Sequence, residues 1–408
     1  MNVNRIVKNY IIWIYFLIYP ITNAYVPDLN LGFIKLTAFR LYLLVPLLYL
    51  VHLFIANHWR IKISKESSFM VVYVGFVLFN SWRVSNFKIS DLVNYLFPVL
   101  FIIIIENLDF DEADFARFFR MLTLLAIPVF LVTLVQKYVN HSFYSGFKHM
   151  WTLERYTFGG EHYRHASLFR SIDFYQAGVA IGMMCIIFMY LNFEKVRLKY
   201  LVLCIMMLIS TFFTYTRSNW LIPVIGFILF IHFKPWRKKI GYILAVLVFA
   251  IIFYIQFFPQ LQKSELYTDR VTVGTYEGRF VSLDIYFKHF WGRNILFGFG
   301  VESVESDEFK SYGRPEVHNG YVEVFFQNGL VGFILYFAFW YYLFKRSRIV
   351  YKYTGNGVFL VFIAVFLVSN FVFKFISMAH YGYHLMIFYL HMCYQVGVKK
   401  VPKVPKVS

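Results

Sequence analysis

The sequence predicts an all-α polytopic membrane protein, with about 12 transmembrane helices and one large extracytoplasmic loop. Three observations carry this. Of 408 residues, 59% are hydrophobic and 22% aromatic, while only 15% carry charge; an ordinary soluble chain carries about a quarter charged residues. Stretches such as Tyr242 to Phe258 and Gly357 to Phe373 run for most of a bilayer-spanning length without a charge. The cationic residues, finally, sit in short blocks between apolar runs rather than on one soluble surface.

Taken in order, the apolar runs predict helices over 9–24, 38–56, 67–82, 91–105, 119–138, 174–193, 200–214, 218–233, 240–258, 320–344, 357–374 and 382–397. The first run ends at Thr22-Asn23-Ala24, a small-residue pattern of the kind that follows a signal peptide. An uncleaved first helix is the commoner case when further spans follow at once. The basic blocks are Arg60, Lys62, Lys65; Lys195, Arg197, Lys199; Lys234, Arg237, Lys238, Lys239; Lys345, Arg346, Arg348, Lys352; and Lys399, Lys400, Lys403, Lys406. With the N-terminus inside, all of them fall on the cytoplasmic face, where an excess of Lys and Arg is expected. The acidic stretch Glu106 to Arg117 falls there too, which the rule tolerates because it counts cations.

The whole chain, 1–408, then forms a single integral membrane domain with two external segments. The smaller is 140–173. The larger, 259–319, carries seven basic residues against nine acidic ones, so it lacks the positive bias of a cytoplasmic loop. Its aromatic middle, Arg279 to Phe290, has apolar residues at helical spacing and is expected to lie along the membrane surface; Gly298 and Gly300 turn the chain after it. No internal repeat, soluble βαβ unit or basic duplex-binding stripe is present, so the net charge of +18 marks topology and not a nucleic-acid partner. Cys185, Cys204 and Cys393 all lie inside apolar runs, with neither disulfide nor metal-ligand spacing.

Charged residues at the outer membrane face are the informative ones, because a guanidinium near bilayer depth is costly without a partner or a task. Arg217, in Thr214-Tyr215-Thr216-Arg217-Ser218-Asn219-Trp220, stands between two apolar helices with almost no loop. It is either a snorkelling residue that marks a helix end or part of an anion site. Arg164 and Arg170 flank the approach to the helix near Asp173, and Arg279 opens the surface helix. Arg270 and Arg314 add guanidiniums on the same loop. Several guanidiniums on one face suit a phosphate ligand, whose oxygens match their forked donors; singly, each serves as an interfacial anchor.

His318 and Asn319 precede a helix beginning near Tyr321, and an imidazole there can accept a proton near neutral pH. A lone histidine is more often a satisfied hydrogen-bonding group. Three further clusters have bland readings. His162 and His165 beside Glu161 lack a third metal ligand. His380, His384 and His391 on or before the last helix fit a packed polar network. Asp109-Phe110-Asp111 resembles a metal-chelating acidic pair but fits a solvated helix start.

At these residues the sequence resembles the bacterial O-antigen polymerase and O-antigen ligase family of envelope glycosyltransferases. Thr216-Arg217-Ser218 is similar to the family's Ser-Arg at a helix junction, with Thr for Ser. Arg279 through Phe297-Gly298-Phe299-Gly300 is similar to its Arg followed by a Gly-x-Gly turn. His318-Asn319-Gly320-Tyr321 with Asn328-Gly329-Leu330-Val331-Gly332 is similar to its His-Asn-x-Tyr and Gly-Leu-Ile-Gly. The arginine before the sixth helix aligns as Arg164, with Arg170 as the alternative.

The resemblance implies a metal-independent, cofactor-free enzyme in the bacterial cytoplasmic (inner) membrane, with its active site on the periplasmic face. It would polymerise undecaprenyl-pyrophosphate-linked repeat units. Arg217, Arg279 and His318 would be catalytic, and Arg164, Arg170, Arg270, Arg314, Asn319 and Tyr321 would bind pyrophosphate or sugar. Membrane lipids and a chain-length regulator protein are the other expected partners. Two alternatives stay open: a ligase that moves glycan onto lipid A core, and a flippase of lipid-linked oligosaccharide, although a transporter would show inverted repeats that this chain lacks.

Overall fold

The computed structural model describes residues 3–22, 29–30, 35–36, 38–56, 61–84, 89–140, 143–144, 157–158, 162–163, 165, 167–169, 174–195, 197–214, 217–232, 287–288, 294–300, 319–372 and 381–398. The predicted span 240–258, most of both external segments and the C-terminal basic tail lie outside these residues.

Helix α1 is wound as α-helix over Val3–Asn9, as π-helix over Tyr10–Ile18 and as α-helix again over Tyr19–Thr22. There follow α2 (Ala38–Ala56), α3 (Lys65–Arg83), α4 (Ile89–Glu106), α5 (Glu112–Tyr138), α6 (Phe174–Lys195), α7 (Leu198–Phe213), α8 (Arg217–His232), α9 (Gly320–Thr354), α10 (Val358–Val372) and α11 (Tyr381–Cys393). Two antiparallel ladders of two residues per strand interrupt this helical order, β1 (Leu29–Asn30) with β2 (Lys35–Leu36) and β3 (Thr157–Phe158) with β4 (His162–Tyr163). Among the described residues three helical stretches are long and apolar enough to cross a membrane: Glu112–Tyr138, Ala177–Glu194 and Gly320–Thr354. Shorter apolar helical stretches run over Leu44–Ala56, Leu198–Phe213, Asn219–His232 and Val358–Val368.

Local chemistry sets several boundaries. Asp111 and Asp114 form a reciprocal capping box at the start of α5, which makes the Asp109-Phe110-Asp111 stretch a helix start as expected. Gly355, at φ 68°, ends α9 in the left-handed conformation, ten residues beyond the predicted end at 344. Buried hydroxyls are satisfied within their own helices: Ser81, Thr133, Thr211 and Ser347 each donate to the carbonyl four residues earlier, the solution that an apolar solvent favours. Between α6 and α8, Gly178, Gly182 and Gly226 admit Asn219, Ile222 and Ile186, so the two backbones approach closely.

The contacts sort the helix ends into two sets. At one end, Arg346 of α9 pairs with Glu66 of α3 and lies 3.5 Å from Glu106 of α4. His391 of α11 lies 3.4 Å from the same carboxylate, which also accepts from Ser64 and Ser67. Beside them Lys8 of α1 meets Asp114 of α5 at 2.5 Å, and Arg117 reaches Asp114 at 2.9 Å. At the other end, Thr22 meets Tyr42 at 2.7 Å, joining α1 to α2. Gln136 of α5 donates to the Ser167 carbonyl at 3.3 Å, and the His165 amide donates to Phe213 of α7 at 3.2 Å.

Lys62, Arg346 and Lys199, from three of the basic blocks, thus lie at one end of the bundle. Arg346 is more than a topology mark, being largely buried among carboxylates. Of the histidines near the C-terminus, His384 bonds Tyr15 at 2.6 Å and stacks on Phe101, and His391 joins the ionic cluster; both belong to packed polar networks. His380 lies outside the described residues.

Candidate functional site

The best-defined polar structure at the end opposite the basic blocks is a break in α9. At Gly329 the backbone turns to φ 59° and ψ −165°, which no helix admits. A regular helix would bond the Leu330 amide to Phe326 and the Val331 amide to Gln327. Here both amides turn instead to a second segment, Leu330 to the Ile295 carbonyl at 2.8 Å and Val331 to Leu296 at 3.1 Å. The two abandoned carbonyls accept from the same segment, Phe326 from the Phe299 amide at 2.9 Å and Gln327 from Gly300 at 2.8 Å. Two helical bonds are exchanged for four between segments, so the irregular backbone leaves none of these four groups unsatisfied, the condition for breaking a helix in a membrane.

Glycine makes this approach possible. A Cβ on Gly298, which sits at φ 69°, would fall 2.5 Å from the Gly329 nitrogen, and one on Gly329 would fall 2.5 Å from Leu296 carbonyl atoms. Helix α3 clamps the joint from the side. The Asn80 amide donates to the Phe297 carbonyl at 2.6 Å and to Gln327 at 2.9 Å. Arg83 holds the Asn80 oxygen at 3.0 Å and the Gly298 carbonyl at 2.8 Å, with its guanidinium over the Phe297 ring.

Upstream of the break, Asn319 caps α9 by accepting from the Tyr321 and Val322 amides at 3.0 and 3.2 Å. The Tyr321 hydroxyl donates to Leu367 of α10 at 2.5 Å. One turn on, Glu323 is buried and accepts from Gln327 at 3.0 Å. The Asn328 amide is fully buried, and neither its oxygen nor its nitrogen has a hydrogen-bond partner among the described residues. Such a group in a native interior calls for an explanation, a ligand or water being the usual one.

A second structure at this end surrounds the α7–α8 junction. Arg217 is the first residue of α8. Asn219, wholly buried, donates to Thr214 at 3.3 Å, and Trp220 donates to Phe212 at 2.9 Å. The turn Ser167–Phe169, whose flanking residues include Arg164 and Arg170, is held against α5 by Ser167 donating from its amide to Gln136 at 3.0 Å, and Phe169 packs on Tyr381.

Of the residues predicted to form the site, Asn319 and Tyr321 are therefore placed at the start of α9, and Arg217 at the start of α8. The Arg217 side chain, Arg164, Arg170, Arg270, Arg279, Arg314 and His318 lie outside the described residues. His318 directly precedes the Asn319 cap. The sequence reading passed over Asn80 and Arg83, and it gave no role to Glu323, Gln327 or Asn328, although Asn328 opens one of the motifs that carry the resemblance. The signal available was polar side chains three or four residues apart inside apolar helices. Among the described residues no group of three or more His, Cys, Asp or Glu side chains is arranged to hold a metal ion.

Residues 202–337 match the family model described as O-antigen ligase. That segment is similar to the O-antigen ligase family. No curated protein matches the chain. The O-antigen ligase segment contains most of α7, all of α8, the Ile295–Gly300 strap and α9 through its break, so both glycine motifs that interlock fall inside it. The α3 clamp of Asn80 and Arg83 lies outside it. The match covers about a third of the chain and, with the long apolar helices, supports a membrane protein of polysaccharide biosynthesis in the broad O-antigen polymerase and ligase class.

Proposed function

We propose that the protein polymerises oligosaccharide repeat units carried on undecaprenyl pyrophosphate, on the periplasmic face of the bacterial inner membrane. The observation that carries this reading is the O-antigen ligase segment at 202–337, within which the Gly298 and Gly329 motifs join into one structure, ten residues along α9 from the Asn319 cap. The leaving group is a lipid pyrophosphate, so charge develops on departing phosphate oxygens; preorganised guanidiniums in a dry site are suited to that. Arg217 and Arg279 take this role, with Arg164 or Arg170, Arg270 and Arg314 binding donor. His318 accepts the proton of the attacking hydroxyl, with no metal and no cofactor. The buried Asn328 amide supports the reading, since it offers a donor and an acceptor together, as sugar hydroxyls require.

Arg217→Ala or Arg279→Ala is expected to abolish long glycan chains while the protein remains in the membrane; normal chain length in either variant refutes the assignment. The family description favours one second reading, transfer of finished glycan onto lipid A core. Chain-length analysis of the lipid-linked pool in a deletion strain separates the two. Loss of a polymerase leaves single repeats, whereas loss of a ligase leaves long chains on the carrier.

A further inference from the structure

Cys185 of α6 and Cys204 of α7 meet where these two helices pack side by side. Their sulfurs stand 3.9 Å apart, and the Cys185 thiol donates to the Cys204 carbonyl at 3.7 Å. Only two residues of sequence separate α6 from α7, so the chain doubles back and two cysteines with no disulfide spacing become neighbours. Both are free thiols. Closing the gap to the roughly 2.0 Å of a disulfide lies within the swing of two side chains that change χ1 rotamer. The third cysteine, Cys393 of α11, accepts instead from the Asn356 amide at 3.4 Å.

The surroundings choose the oxidant. Cys185 is the twelfth of 22 residues in α6 and Cys204 the seventh of 16 in α7, so both lie well inside apolar helices. Cys185 is fully buried and Cys204 partly exposed. Leu201 and Leu208, three before and four after Cys204 on the same side of α7, are 42% and 44% exposed. Cys204 therefore borders a face of α7 that is open to molecules dissolved in the bilayer, while a charged, water-borne oxidant is kept out by the cost of entering an apolar medium. For the same reason the reaction must leave no charge behind. A lipid-soluble quinone meets both conditions: it takes the two thiol hydrogens with their two electrons and leaves as the quinol. Two S–H bonds break, one S–S bond forms, and every species stays neutral.

We propose that Cys185 and Cys204 form an oxidisable dithiol within the membrane, closed to a disulfide between α6 and α7 by a lipid-soluble quinone. The site is independent of the glycan chemistry proposed above.

The test exposes the full chain in lipid nanodiscs to decylubiquinone, which has no open ring position for thiol addition, or to glutathione disulfide in the water. Remaining thiols are then labelled with N-ethylmaleimide under denaturing conditions and counted by intact mass. The untreated chain should carry three labels, one for each of its three cysteines. The quinone should reduce this to one, on Cys393, with the unlabelled chain lighter by two hydrogens and a linked peptide joining Cys185 to Cys204. Glutathione disulfide should leave all three labels. With quinone, Cys204→Ser should keep both of its labels and Cys393→Ser should lose both. Three labels on the wild type after quinone treatment overturn the proposal, as does a link to Cys393 or a label lost from Cys204→Ser. Equal loss of labels to glutathione disulfide overturns the choice of oxidant.

Discussion

Gly298 and Gly329 occupy one shared space: a methyl group on the first would lie 2.5 Å from the backbone nitrogen of the second. Thirty-one residues of sequence separate them, yet neither can change without moving the other. Both also sit at positive φ, 69° and 59°, so a side chain adds backbone strain to the collision.

Gly329→Ala is accordingly expected to destabilise the protein by at least about 1–3 kcal/mol from strain alone, with the steric clash on top. Gly355→Ala, where nothing lies within 4 Å of the added carbon, should show the conformational part only. A thermal melt in detergent compares the two; equal losses at both positions would mean that the interlock contributes nothing.

The clamp makes a second expectation. Asn80→Ala removes two hydrogen bonds to buried carbonyls and the partner of Arg83, at about 1–3 kcal/mol for each group left unsatisfied. The Gln327 carbonyl keeps the Gly300 amide, so the larger loss falls at Phe297. Limited proteolysis should cut between 294 and 300 faster in the variant than in the wild type, with helix content unchanged by circular dichroism.

At the basic end, Arg346→Met should be among the most damaging single changes. It strips the cation from between Glu66 and Glu106, and breaking a buried pair by removing one partner costs about 3–5 kcal/mol. Because His391 remains beside Glu106, Glu66→Gln combined with Arg346→Met should recover part of the loss. Melting temperatures of the single and double variants measure this directly.

An acid-side test comes from Asp111, outside the membrane-spanning helices. The Asp114 amide that bonds its carboxylate, helped by Lys8 and Arg117, holds its pKa below the ordinary aspartate value of 3.8. A depressed folded-state pKa contributes stability that is present above the unfolded value and is lost as pH falls through the folded one. Stability should therefore slope downward below about pH 4. Asp111→Asn, still able to cap, should flatten that slope when melting temperature is followed from pH 5 to pH 3.

Much of the helix order was legible because apolar runs are long and charge-free; the run at 38–56 became α2 with the same limits. The break in α9 was not legible. Gly329 interrupts an apolar run that reads as continuous helix, and only the carbonyls and amides of Ile295 to Gly300, brought from a separate loop, make breaking it cheaper than keeping it. For the same reason the sequence indicated Asn319 and Tyr321, which sit in a recognisable helix start, but not Asn80 or Arg83. Their role depends on partners more than 200 residues away. Arg346 shows the opposite limit: its neighbours in sequence are cations, and its neighbours in space are carboxylates.

The reach of Asn80 across the chain has a consequence for biogenesis. A ribosome that has released the chain as far as α8 has not yet made the backbone that Asn80 and Arg83 will grip, since Phe297, Gly298 and Gln327 emerge afterwards. Helix α3 must wait with its polar tip unengaged by this joint until α9 arrives. A nascent chain halted before residue 331 therefore has no completed joint, whatever its other helices have already formed.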